Sequence, residues 1–251
     1  MTVEQRDWHN SRLCRETKLT QEVKKLKNDY TKIAEQYEKH GTVQGVMHYV
    51  NEESIKEQHK NQPKHKAKGV DEIGKEEYEE NLEENAKYLI YRMKNFKYKP
   101  QPVRRVYIPK PGSEKKRPIG IPTYEDKLVQ GVFAEILNEI YERIFLECSF
   151  GFREGRDCHQ AVKELDNIIM RRKVNYIVDA DISGFFDNVS HEWLVKFLEH
   201  TIQDKNFIRY IVRFLKSGIM EQGKEIRQDV GTPQRRHNKS NTSKCIFTLC
   251  T

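Results

Sequence analysis

The stretch Tyr176-Ile177-Val178-Asp179-Ala180-Asp181-Ile182-Ser183-Gly184-Phe185-Phe186-Asp187-Asn188 constrains this chain more than any other. It opens as an apolar, β-branched run and closes in a turn rich in carboxylates. Side chains alternate between the faces of a strand, so Asp179 and Asp181 share one face and Val178, Ala180 and Ile182 the other. A carboxylate at the end of a buried strand is costly unless something neutralises it. Mg²⁺ suits that role, since it takes oxygen ligands and is often held by one or two carboxylates plus substrate phosphates. The aromatics just beyond could pack on a sugar or a base. The alternative for the same residues is a strand end with solvent-exposed acids and two core phenylalanines.

The surrounding pattern mixes helices with hairpins. Leu19, Val23, Leu26, Tyr30, Ile33 and Tyr37 recur at spacings of three and four, which predicts an amphipathic helix that stops at Gly41. A second helix is expected from Val43 to Gln58, then a basic loop over Lys60–Lys68, read as a solvated linker or a nucleic-acid contact. Leu82–Phe96 carries Leu82, Ala86, Leu89, Ile90 and Met93 at helical spacing. Val103–Pro109 and Pro118–Pro122, separated by a turn at Gly112 and Ser113, form a hairpin by pattern. Glu125–Phe145 is helical in spacing. Asp157 can cap a helix through Met170, Asn188 or Ser190 another, and Asp204 a third that stops near Gly218. Met220–Val230, with Gly223, reads as a second hairpin. Hairpins without regular β-α alternation predict an α+β fold.

Charge narrows the partners. Charged residues make up 33% of the chain and the net charge is +7, with a pI near 9.0 and a mean hydropathy of -0.87. A basic surface favours a polyanionic partner. Five cysteines, an odd number with no paired zinc spacing, predict reduced thiols and a cytoplasmic location. No apolar run reaches membrane-spanning length, so no membrane partner is expected.

The first hairpin concentrates cations. Arg104, Arg105, Lys110, Lys115, Lys116 and Arg117 face Glu114 as the one acid between Arg104 and Arg117. Arginine grips phosphate with parallel hydrogen bonds and lysine acts as a point charge, which suits a triphosphate or a phosphodiester backbone. A lysine-protected edge hairpin is the alternative.

Four segments then line up: Arg117-Pro118-Ile119-Gly120-Ile121-Pro122, Ser149-Phe150-Gly151-Phe152-Arg153-Glu154-Gly155-Arg156, Asp179–Asn188, and Gly231-Thr232-Pro233-Gln234. Their order and spacing resemble the reverse transcriptases encoded by bacterial group II introns, which also serve as splicing maturases. The resemblance covers about residues 65 to 234, and Gly69-Val70-Asp71 looks like the family's Gly-Val-Asp. It implies a right-hand polymerase fold, divided here into a charged helical N-terminal extension (1–83), fingers (84–170) and partial palm (171–234). It implies that Asp181 is the catalytic, metal-binding aspartate and that the Ile182 carbonyl is a neighbouring Mg²⁺ ligand. Phe186, in preference to Phe185, would pack under the incoming sugar and leave no room for a 2′-hydroxyl. Lys115, Lys116 and above all Arg117 would hold the triphosphate of a dNTP, with Gln234 near the nucleotide. Arg153 and Arg156 would touch the RNA template, as Arg104, Arg105 and Lys110 could from the hairpin. Asp187 is expected to be a helix-capping or structural acid in preference to a metal ligand, and His159 to be structural.

The sequence departs from the family after Gln234. Nucleotidyl transfer with two divalent ions needs carboxylates from two places. The family's second pair, in a Tyr-x-Asp-Asp turn that follows Gly-Gly-Ile-Ile-Ser-Pro, does not occur in these 251 residues. The segment Arg235–Thr251 can be encoded so that dropping one base reads Gly-Gly-Ile-Ile-Ser-Pro-Ile-Leu-Ala-Asn-Val-Tyr. Residues 235–251 are therefore expected to be an out-of-frame tail, and the chain alone to be inactive in polymerisation. A palm without its remaining strands would leave edges and apolar surface bare, which predicts a homodimer or larger species.

Overall fold

The computed structural model describes residues 30–109, 112, 114, 116–227 and 230–231, and the backbone alone of Arg117 and Phe186. The first expected helix is present in its described part, residues 30–40 (α1), and Gly41 ends it. The helix expected from Val43 to Gln58 divides into a 3-10 turn, Val46–Tyr49, and α2, Glu52–Asn61. Asn51 causes the break. Its side chain accepts from the Ser54 N–H at 2.9 Å, while Ser54 Oγ accepts from the Asn51 N–H at 3.0 Å, a reciprocal cap that starts a new helix. The basic run that follows is irregular from Gln62 to Gly74.

Two helices come next, α3 (Lys75–Glu79) and α4 (Leu82–Lys94). The predicted hairpin follows as β1 (Val103–Pro109) and β2 (Lys116–Ile121), antiparallel, with Arg105 opposite Gly120 and Ile108 opposite Arg117. Then come α5 (Tyr124–Tyr141), α6 (Cys158–Arg171), α7 (His191–Thr201) and α8 (Lys205–Leu215). The second hairpin is β3 (Ile219–Glu221) and β4 (Lys224–Ile226). Capping residues predicted from sequence hold three of these helices. Asp157 accepts from the Gln160 N–H at 2.8 Å, and Ser190 from the Trp193 N–H at 3.4 Å. Asp204 Oδ1 accepts from the Asn206 and Phe207 N–H groups at 3.0 and 3.1 Å. Ser190 therefore takes the role considered for Asn188 and Asp187.

The two hairpins share one sheet in the order β2-β1-β3-β4. β1 and β3 run parallel, with Val103 beside Ile219, and the Val103 N–H donates to the Gly218 carbonyl at 3.1 Å. Gly218 sits at φ 76°, and a Cβ there would lie 3.1 Å from the Ile226 carbonyl oxygen, so this corner favours glycine. The architecture is α+β, as the sequence predicts.

One cluster of buried side chains runs from Tyr30 to Leu215. Helix α5 is its axis, burying Leu128, Val132, Phe133, Ile136 and Ile140 among others. Phe133 stacks on Phe207 of α8 with centroids 4.3 Å apart and planes 7° from parallel. Each such side chain contributes about 1.5–3 kcal/mol by leaving water.

The acidic segment differs from expectation. Residues 173–182 have no regular structure and are exposed; Val178 is 88% exposed and Ile182 70%. β-branched residues favour strands only when a neighbouring strand takes up their N–H and C=O groups. Among the described residues no backbone hydrogen bond gives Tyr176–Ile182 such a neighbour. Helix α6, which leads into this segment, buries none of its residues.

Candidate nucleic-acid interface and acidic segment

The cationic hairpin is a ribbon anchored at its base. Arg104 donates through Nε to the Lys68 carbonyl at 3.1 Å and also through Nη2, so its guanidinium holds the Gly-Val-Asp loop to β1. Lys127 of α5 donates to the neighbouring Ala67 carbonyl at 2.6 Å. Just after these clamps Gly69 lies against the Pro122–Thr123 backbone; a Cβ there would sit 2.6 Å from Thr123 Cα. Arg105 pairs with Glu221 of β3 at 3.8 Å, and Glu221 also accepts from the Tyr107 hydroxyl. That bond raises the Tyr107 hydroxyl above its ordinary pKa.

Lys116 is exposed in the last paired position, opposite Pro109, and makes no ion pair among the described residues. Arg117 is placed by its backbone, opposite Ile108. Lys110, Lys115 and Gln234 lie outside the described residues. Of the predicted phosphate-facing cations, Lys116 is thus the described one that stands free at the distal end. Arg104 and Arg105 are engaged nearer the base.

The Phe-rich loop after α5 is wired from within. Arg153 is 8% exposed. It donates from Nε and Nη2 to Glu142 at 3.0 and 2.8 Å, and from Nη1 to the Leu146 and Ser149 carbonyls, both at 2.9 Å. Its guanidinium also lies 5.1 Å from the Phe145 ring centroid. Arg153, expected to touch the template, has three of its nitrogens committed to the loop, and little of it reaches solvent. Arg156 pairs with Glu147 and covers the Phe150 ring at 5.4 Å, but remains partly exposed. His159, expected to be structural, is exposed on the first turn of α6.

Asp179, Asp181 and Ile182 all lie on the exposed, irregular segment. Among the described residues no hydrogen bond or ion pair joins either aspartate to the hairpin. Beyond them Gly184 turns the chain at φ 60° into a 3-10 turn, Phe185–Asp187, held by Asn188 Nδ2 donating to the Gly184 carbonyl at 2.8 Å. Phe185 packs against the core cluster; Asp187 is exposed. Among the described residues no three His, Cys, Asp or Glu side chains gather where a metal ion could be held. The donors among the described residues therefore do not assemble a two-ion site.

The sequence reading passed over a buried carboxyl. Asp126, 2% exposed at the first turn of α5, accepts from the Tyr98 hydroxyl and, at 3.1 Å, from the Gln101 N–H. Burial pushes its carboxyl up to about 6, against the pull of these bonds. Tyr98 is fully buried, and burial beside Asp126 pushes its phenol well above the ordinary value. This pair fixes the segment that feeds β1 against α5. The signal available was Asp126 placed three residues after the capping Thr123 and among apolar positions, with Tyr98 directly before the proline-rich entry to the strand. Nearby, His59 is 2% exposed, shares a bond of 2.9 Å with the Tyr124 hydroxyl, and is lowered in pKa by burial and then by Lys75.

Comparison with known proteins agrees with the motif reading. The family model for reverse transcriptase (RNA-dependent DNA polymerase) matches residues 108–236, just over half the chain. The group II intron-encoded protein LtrA of Lactococcus lactis subsp. cremoris is 41% identical over 152 residues, covering 61% of this chain and 25% of that protein. Protein YkfC of Escherichia coli K12 is 31% identical over 169 residues, covering 66% of this chain and 44% of that one. A partial Cas6-RT-Cas1–Cas2 complex superposes with TM-score 0.45 at 17% identity, covering 80% of this chain and 32% of that chain, an overlap too slight to add to the assignment. The chain spans a quarter to under half the length of these curated relatives. The family model spans more than half of the chain, and the chain belongs to the reverse transcriptase (RNA-dependent DNA polymerase) family.

Proposed function

We propose that this chain is the fingers and partial palm of a group II intron reverse transcriptase and maturase, that it binds intron or template RNA, and that these residues alone do not polymerise. Family membership and the basic hairpin support RNA as the partner. The observation that carries the inactivity is the acidic inventory. Asp181 matches the first metal-binding motif, but the 251 residues contain no Tyr-x-Asp-Asp, and no three potential ligands gather among the described residues. Two-ion transfer needs both acidic positions. In the intact enzyme Lys116 and Arg117 would meet the dNTP triphosphate and Phe186 its sugar. Val162, Leu165 and Ile169 of α6 are exposed, which supports self-association that light scattering would reveal as a homodimer or larger species; a monomer at high concentration removes that part.

Primer extension with Mg²⁺ on an RNA template tests the central point. No extension is expected, and template-dependent synthesis by the purified chain would overturn it. RNA binding is tested across salt. Each phosphate neutralised on a single strand contributes a slope of about −0.7 to log K against log salt, so affinity should fall steeply. A flat response would remove RNA as the partner. The out-of-frame tail is part of the same proposal, and the gene's nucleotide sequence after the Gln234 codon decides it: no in-frame continuation after a one-base correction ends that idea.

A further inference from the structure

Helix α4 carries an exposed stripe that the hairpin and motif assignments do not use. Leu89, Ile90 and Met93 face the core. On the opposite side Lys87, Tyr88, Tyr91 and Lys94 are all exposed, at spacings of three and four that put them on one face. Tyr88 is 60% and Tyr91 53% exposed, although tyrosine rings of this size normally cover apolar surface. The two rings lie nearly parallel, 19° apart with centroids 6.5 Å apart. Arg92, itself anchored to Glu125, holds its guanidinium 4.9 Å from the Tyr88 centroid and so limits the motion of that ring.

Beyond the first turn of α4 the charge on this face has one sign. Acids on α4 are confined to its first turn, at Glu83 and Glu84, and Glu83 is paired with Lys56. Lys87, Lys94 and, just past the helix, Lys97 and Lys99 are exposed and make no ion pair among the described residues. Lysines at a helix C-terminus also offset its dipole. That role does not call for two bare aromatic rings between them.

We propose that Tyr88 and Tyr91 form a stacking platform for unpaired bases of single-stranded RNA, with Lys87 and Lys94 contacting the flanking phosphates. Aromatic faces take any base, and interleaved cations follow the backbone, so the site is tolerant of sequence and selective for unpaired strand. A duplex keeps its bases stacked on one another and offers the rings nothing. The proposal rests on the RNA-binding reading above and locates a contact distinct from the hairpin.

The test uses the full chain with a labelled single-stranded RNA oligonucleotide and a duplex RNA of equal length, read by fluorescence anisotropy. Tyr88→Ala/Tyr91→Ala is expected to weaken single-strand binding about tenfold or more, the scale of aromatic–base stacking, with the salt slope unchanged. Duplex binding should stay at the wild-type level. Tyr88→Phe/Tyr91→Phe should bind as the wild type does, since stacking needs the ring and not the hydroxyl. Both rings are exposed, so circular dichroism should show both variants folded. An Ala variant that binds single strand as tightly as wild type, or loses single strand and duplex equally, overturns the platform. If that happens while the wild type still binds RNA with a steep salt slope, only this inference falls. A wild type that binds no RNA at low salt overturns the parent reading as well.

Discussion

Asp126 gives the sharpest physical prediction. Its carboxyl is enclosed between the Tyr98 hydroxyl and the Gln101 N–H at the junction of α5 and the segment entering β1. Burial raises it from an ordinary 3.8 to about 6. Because the folded value is raised, the group's contribution is fully present below the ordinary value and is lost as pH rises through about 6. At 1.36 kcal/mol per pH unit, the loss is roughly 3 kcal/mol across that window. Asp126→Asn cannot ionise and should lack this dependence. Urea unfolding of both proteins from pH 3.5 to 7 isolates the effect, since every other titrating group cancels in the difference. The wild type is expected to lose stability relative to the variant as pH rises, by roughly 3 kcal/mol in all. Altered hydrogen bonding by the amide shifts the whole curve by a constant, so the change with pH is the diagnostic quantity. Parallel stability curves across that window would refute the reasoning.

Two further outcomes follow from packing. Gly69→Ala places a methyl 2.6 Å from Thr123 Cα, against backbone that has no rotamer to change, and should cost about 1–3 kcal/mol by thermal or urea unfolding; an unchanged midpoint would contradict the close approach. Arg153→Lys removes the planar fork that spans Glu142 and two carbonyls, so the loop should become more open to limited proteolysis between Leu146 and Asp157, with roughly 1–3 kcal/mol lost; a protected loop would show that the wiring is dispensable.

Much of the fold is legible in short stretches of the chain. The hairpin from Val103 to Ile121 follows from alternation around a glycine turn, and the starts of α6, α7 and α8 from Asp157, Ser190 and Asp204. These signals work because cap and turn bonds join residues only two or three positions apart. Asn51 belongs to the same class. Its cap divides a segment whose apolar spacing alone reads as one helix.

The candidate site was legible as motifs but not as geometry. The four motif segments were enough to point to the family, because residue order survives without coordinates. The state of Arg153 was not readable, since its partners Glu142, Leu146 and Ser149 become neighbours only when the loop folds back on α5. The acidic run shows the opposite failure: Tyr176–Ile182 has strand composition but no described strand beside it.

By itself, then, the sequence determined most of the helices, the two hairpins, the basic character of the first and the family to which the motifs belong. Tertiary structure alone decided that β1 pairs with β3 across more than a hundred residues, that Asp126 is buried beside Tyr98, and that Tyr88 and Tyr91 are left facing solvent. The physical reason is range. Periodicity, caps and turns are set by neighbours along the chain. Strand pairing, burial and the engagement of a charge depend on which distant surface arrives, and that is settled only when the core around α5 closes.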